Sequence, residues 1–103
     1  MGRTHDTPRV RLARLAHAIR TRAGLTQEEV AASTATGASS VSNREKGRKG
    51  FSRESLEAFL GGIRAREQDQ VDAWELFFLD AGHSEAEALA MAGAKVESSE
   101  AAA

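Results

Sequence analysis

Between Gly24 and Gly50 the chain stops and restarts so often that its helices there must be short. Thr26 opens the first of them: its hydroxyl suits the amide of Glu29, and the Glu29 carboxylate can return the bond to Thr26, which makes a capping box. The run Ser33-Thr34-Ala35-Thr36-Gly37 then has the composition of a turn. A second short helix is expected near Ala38 to Glu45, anchored by Val41 as the first is by Val30 and Ala31, and Gly47 ends it before the basic loop Arg48-Lys49-Gly50.

Flanking this pair the sequence is helical almost throughout, rich in Ala, Glu, Arg and Leu, with apolar residues spaced by three and four. A first helix from about Arg9 to Arg22 carries the stripe Leu12, Leu15, Ala16 and Ile19, with Pro8 before it and Gly24 placed to end it. Ser52 caps a fourth helix with Leu56, Phe59, Leu60 and Ile63 on one side, and Gly61-Gly62 weakens its end. After the polar stretch Arg64 to Gln70, a fifth helix is expected from Val71 to Ala81 and holds Trp74, Leu76, Phe77, Phe78 and Leu79. Ser84 and Glu87 form a further capping box for a short Ala-rich helix ending near Gly93, followed by a frayed tail from Glu97 to Ala103. The expected fold is all-α: residues 1–8 as a flexible arm, a compact five-helix domain over 9–82, and a short acidic C-terminal helix and tail over 83–103.

Charge divides the chain. Residues 1–66 hold thirteen Lys and Arg against six acids, a balance of +7, whereas residues 67–103 hold Lys95 alone against nine acids, a balance of −8. That asymmetry points to nucleic acid or an acidic-tail arrangement, with solvated helix faces as the plainer reading. There is no cysteine, hence no disulfide, thiolate nucleophile or thiolate metal site. No apolar run approaches the roughly 20 residues that span a bilayer, and the N-terminus lacks a signal-peptide core, so the chain reads as cytoplasmic. His5, His17 and His83 share no ligand spacing, which argues against a metal site, and no set of residues supports an enzyme or implies a cofactor.

The segment Gly24-Leu25-Thr26-Gln27-Glu28-Glu29-Val30-Ala31, then Val41-Ser42-Asn43 and Glu45-Lys46-Gly47, resembles the lambda-repressor-like helix-turn-helix family, also called the XRE family. The likeness extends over roughly Arg9 to Gly82, with the helix-turn-helix at about 26–47. In such a unit two short helices cross steeply, so that the second can enter the major groove while the first rests on the phosphates. The resemblance implies double-stranded DNA as the partner. It assigns backbone positioning to Gln27, and phosphate contacts to Lys46, Arg48, Lys49 and Arg53. Ala38, Ser39, Ser40, Ser42 and Asn43 lie on or near the exposed side of the recognition helix as base contacts, Asn43 being suited to pair bidentately with adenine. It further implies an internal ion pair between Arg20 and Glu45 that fixes the recognition helix. Two departures stand out. The family turn has Gly, an aliphatic residue and then Ser or Thr, where this chain has Ala35, Thr36 and Gly37. Arg44 also occupies a commonly aliphatic or aromatic position, so either the helix is packed by fewer apolar groups or Arg44 reaches outward to phosphate or base. Arg3 and Arg9 are candidates for a minor-groove arm, against the plainer reading of a disordered terminus.

Trp74, Phe77 and Phe78 belong to the core or to a dimer interface: five large apolar residues within six positions exceed what one face of so small a domain can hide. The resulting expectation is a sequence-specific transcriptional regulator, a repressor occupying a palindromic operator as a homodimer. No ligand-binding domain follows, so regulation would come from abundance, degradation or a partner. A second reading is an antitoxin-like interaction protein whose acidic C-terminal third holds a basic partner, with DNA binding as autoregulation.

Overall fold

A computed structural model of the chain describes residues 6–102, which form six α-helices and, among the described residues, no strand. They are α1 (Pro8–Arg22), α2 (Gln27–Ser33), α3 (Ala38–Glu45), α4 (Arg53–Gly62), α5 (Glu67–Asp80) and α6 (Glu85–Ala102). Arg3 of the expected arm, His5 and Ala103 lie outside the described residues. The chain divides into two compact units, one of residues 13–65 and one combining the chain before residue 13 with the chain from residue 66 onward.

In the unit of residues 13–65, α1 buries Ala13, Ala16 and Ile19, α2 buries Val30 and Ala31, α3 buries Val41, and α4 buries Leu56, Phe59 and Leu60, with Ile63 following. Leu56 and Val30 are wholly enclosed, and α2 packs against both α3 and α4. The capping box at Thr26 is formed: the Glu29 amide donates to Thr26 Oγ1 at 3.1 Å and the Thr26 amide to Glu29 Oε1 at 2.8 Å. Ser52 and Ser55 cap α4 in the same reciprocal way.

The helices α1 to α5 all end by one device. The amide three residues past each helix reaches back to a carbonyl of its last turn: Leu25 to Arg20, Thr36 to Ala31, Arg48 to Asn43, Ala65 to Leu60 and His83 to Phe78. The residue just before that amide adopts a left-handed backbone, which satisfies carbonyls that would otherwise lack partners. Glycine takes that conformation freely at Gly24, Gly47 and Gly82, but Ala35 (φ +55°) and Arg64 (φ +53°) take it with a side chain. An L-residue there loses about 1–2 kcal/mol. Ala35→Gly is therefore expected to raise stability by about 0.5–1 kcal/mol, after allowing for the greater freedom of unfolded glycine. The check is the midpoint of urea unfolding at unchanged slope. A lowered midpoint would mean that the Ala35 methyl contributes more by packing than the backbone loses.

The second unit differs from the sequence expectation in two helix boundaries. Helix α5 begins at Glu67, a turn before Val71, because Glu67 and Asp69 place negative charge in its first turn, where the helix dipole favours it. Helix α6 does not end near Gly93 but continues to Ala102, so the backbone of residues 97–102 is helical rather than frayed. Gly93 costs such a helix about 1 kcal/mol relative to alanine. Beyond it, however, Val96 is buried, completing a stripe with Ala88 and Ala92 at intervals of four, and α5 and α6 pack as a helical hairpin. The small alanines let the helices approach closely. This hairpin supplies cover that the sequence reading had partly assigned to a second copy: Trp74, Leu76 and Phe78 are buried, and Phe77 and Leu79 are half-buried. The described large hydrophobic left exposed is Leu89, on α6.

Candidate nucleic-acid interface

Every residue with an expected DNA contact from Gln27 to Arg53 falls within the unit of residues 13–65, and one carboxylate organises it. Glu45, at the last position of α3, accepts from Arg20 of α1 twice: Nε to Oε2, and Nη2 to Oε1 at 2.9 Å. The remaining Arg20 nitrogen, Nη1, donates to the Leu25 carbonyl at 2.7 Å, so the guanidinium also pins the start of the α1–α2 connection. Two further donors converge on Glu45 Oε1, the Gln27 amide at 3.2 Å and His17 Nδ1 at 3.0 Å. Both charged side chains are buried, at 10% exposure for Arg20 and 4% for Glu45. Helices α1, α2 and α3 are thus tied through one acidic side chain.

The electrostatics follow from this geometry. Burial pushes the Glu45 carboxyl up, but the hydrogen bonds from Arg20, His17 and Gln27 together outweigh it and hold the group below its ordinary value. The hydrogen bond to Glu45 raises the Arg20 guanidinium against the opposing effect of burial. A buried pair of this kind fixes geometry more than it adds net stability, since desolvation offsets much of the attraction.

With α3 so held, Ser39 is exposed, and Ala38, Ser40, Ser42 and Asn43 are half-exposed. Lys46, Arg48, Lys49 and Arg53 are all exposed beyond the helix, and the Lys49 ammonium reaches Ser40 Oγ at 3.4 Å, bringing a cation of the basic loop to the flank of α3. Gln27 spends one amide hydrogen on Glu45 and has a second to donate. Arg9 belongs to the other unit, where its Nε lies 3.3 Å from Asp80 of α5.

Arg44, for which the sequence left either helix packing or an outward contact open, lies against Phe51 in this structure. Its guanidinium lies over the Phe51 ring, 5.4 Å from the centroid, and its Nε is buried without a hydrogen-bond partner. In this conformation Arg44 packs the helix in place of an apolar residue.

The sequence reading found Arg20 and Glu45 but missed His17 and the second role of Gln27. The available signal was the spacing of three between His17 and Arg20, which sets both on one helical face. Nothing in the sequence singled out Phe51 as the platform under Arg44.

Among the described residues no cluster of His, Asp and Glu could hold a metal ion, and no helix is long and apolar enough to cross a membrane. The family model of the helix-turn-helix domain matches residues 11–74, and the chain belongs to that family. The match is consistent with the lambda-repressor-like pattern at Gly24–Gly47, and it supports DNA binding and a role in transcription regulation. No curated protein and no solved structure matches the chain.

Proposed function

We propose that this protein is a sequence-specific regulator of transcription in the cytoplasm, a repressor that occupies a palindromic operator as a homodimer. The observation that carries the reading is the clamping of α3 by Glu45, which leaves Ser39, Ser40 and Asn43 accessible beside the exposed cations Lys46, Arg48 and Lys49. A rigid helix with short polar side chains can lie close to base edges, while the flanking cations bind phosphate without regard to sequence. Small side chains on α3 also leave room for DNA shape to contribute to specificity. The half-buried Phe77 and Leu79 are the apolar side chains of α5 offered to a second copy.

The test is selection from a randomised duplex library near physiological salt, followed by two variants on the recovered site. A two-fold symmetric motif is expected. Asn43→Ala should cost about 1–3 kcal/mol on that site and little on random DNA. Lys49→Ala should weaken both alike and reduce the magnitude of the salt slope by about 1. Equal losses on both DNAs for Asn43→Ala would remove it from the base-reading set, and an unchanged salt slope would make Lys49 a bystander. Salt-sensitive binding with no enriched motif would overturn the proposal in favour of an interaction module.

A further inference from the structure

We propose that the cavity under α3 is a binding site for a small apolar monocarboxylate, held by Arg44. The cavity has a volume of about 380 Å³ and lies wholly within the unit of residues 13–65. That is within the range of sites that take small organic ligands. Val30, Val41, Phe51 and Phe59 furnish apolar wall, the α2–α3 turn at residues 34–36 closes one side, and the first turn of α4 lines another.

Arg44 lines this space of mixed polar and apolar side chains, and the Nε of its guanidinium is buried and has no acceptor. An orphaned buried donor of this kind loses free energy that an acceptor would restore, and a cation restores most with an anionic one. The planar fork of arginine matches a carboxylate, as Arg20 demonstrates on Glu45 a few ångströms of helix away. The α4 N-terminus adds partial positive charge to the same cavity.

Two carboxylates of the protein also border the space, and neither answers Arg44. Glu45 has both oxygens engaged by Arg20, His17 and Gln27, and Glu54 is exposed. Their charge excludes dianions more strongly than monoanions, and the apolar walls favour a ligand with a ring or branched chain. Inorganic phosphate is therefore a poor occupant and an arylacetate a good one. Such a site would give the helix-turn-helix unit an effector pocket of its own.

Binding is measured on the full chain without DNA, so its failure is distinct from any failure to bind an operator. Phenylacetate titrated into isotope-labelled protein is expected to shift the Arg44 Nε–H resonance and the amides of residues 34–36 and Phe51, saturating below about 1 mM. Phenylacetamide, with the same ring and no charge, should bind at least about tenfold more weakly, which is one factor of ten for the lost charge-assisted contact. Arg44→Met, whose flexible apolar chain suits the cavity, should abolish the response while circular dichroism reports an intact helical fold. Should Arg44→Met not fold, the comparison of phenylacetate with phenylacetamide on the unaltered protein decides alone. The proposal is overturned if phenylacetate gives no saturable shift up to about 10 mM, if phenylacetamide binds equally well, or if inorganic phosphate shifts the same resonances as strongly.

Discussion

Glu45→Ala is expected to destabilise the protein by about 3 kcal/mol, near the low end of what removing one partner from a buried ion pair costs. The loss has two sources. Arg20, at 10% exposure, is left a buried cation beside only the Leu25 carbonyl and the His17 ring nitrogen. His17 and Gln27 also lose their shared acceptor, so the links from α1 and α2 to the end of α3 go together. The long stem of Arg20 allows its head to turn towards water, which keeps the cost from reaching the upper end of the range. Glu45→Gln retains a carbonyl acceptor while removing the charge, and should lose about 1–2 kcal/mol. Urea unfolding of Glu45→Ala, Arg20→Ala and the double variant measures the pair directly, with an expected coupling of about 1.5–3 kcal/mol. Single-variant losses below about 1 kcal/mol would mean that Val41 and its apolar neighbours position α3 without the network.

The same carboxylate sets a pH dependence of known sign. Its folded pKa lies below the ordinary value of 4.5, so the folded state favours the ionised form. The contribution of Glu45 is therefore fully present above the unfolded-state value, about 4.3, and is lost as pH falls from there through the folded value. Unfolding of the parent protein between pH 7 and pH 3 should show this acid-side loss, and Glu45→Gln should flatten that part of the curve. Parallel curves for the two proteins would assign the acid sensitivity to other carboxylates.

Local chemistry made most of the helix-turn-helix unit legible in advance. The capping boxes at Thr26 and Ser84, the cap at Ser52, the turn at residues 33–37 and the stops at Gly24, Gly47 and Gly82 are signals carried by one to five neighbouring residues, and the structure places helix ends at each. What escaped depends on contacts distant in sequence. Gly93 reads locally as a helix end, yet Val96 is buried beyond it, and nothing in residues 93–102 alone announces that burial. For Arg44 the sequence leaves open whether the side chain packs the helix or reaches outward. Its inward position depends on Phe51, seven residues later and past a loop, offering a ring face. The convergence of His17 and Gln27 on Glu45 likewise requires the three-dimensional crossing of α1, α2 and α3, for which the sequence supplied only the Arg20–Glu45 component.

The largest expected loss of packing is at Trp74, whose replacement by alanine should cost about 3–5 kcal/mol. The indole is 3% exposed, meets the Phe77 ring edge-on at 5.3 Å between centroids and stacks on Phe78 at 5.8 Å. The Lys95 ammonium lies over its ring, 5.1 Å from the centroid, so part of its cover comes from the half of α6 beyond Gly93. Trp74→Phe should cost less, about 1–2 kcal/mol, because much of the aromatic packing is retained. As the chain has a single tryptophan, its emission also reports on that cover without substitution at residue 74. A chain ending after Gly93 lacks Lys95 and Val96, and its emission should move to longer wavelength under native conditions as water reaches the indole. The competing possibility, that the first half of α6 suffices, predicts a truncated chain with unshifted emission and an unchanged urea midpoint. That outcome would return the later turns of α6 to the status of an appendage, and would leave Ala88 and Ala92 as the part of the helix that stabilises the aromatic cluster.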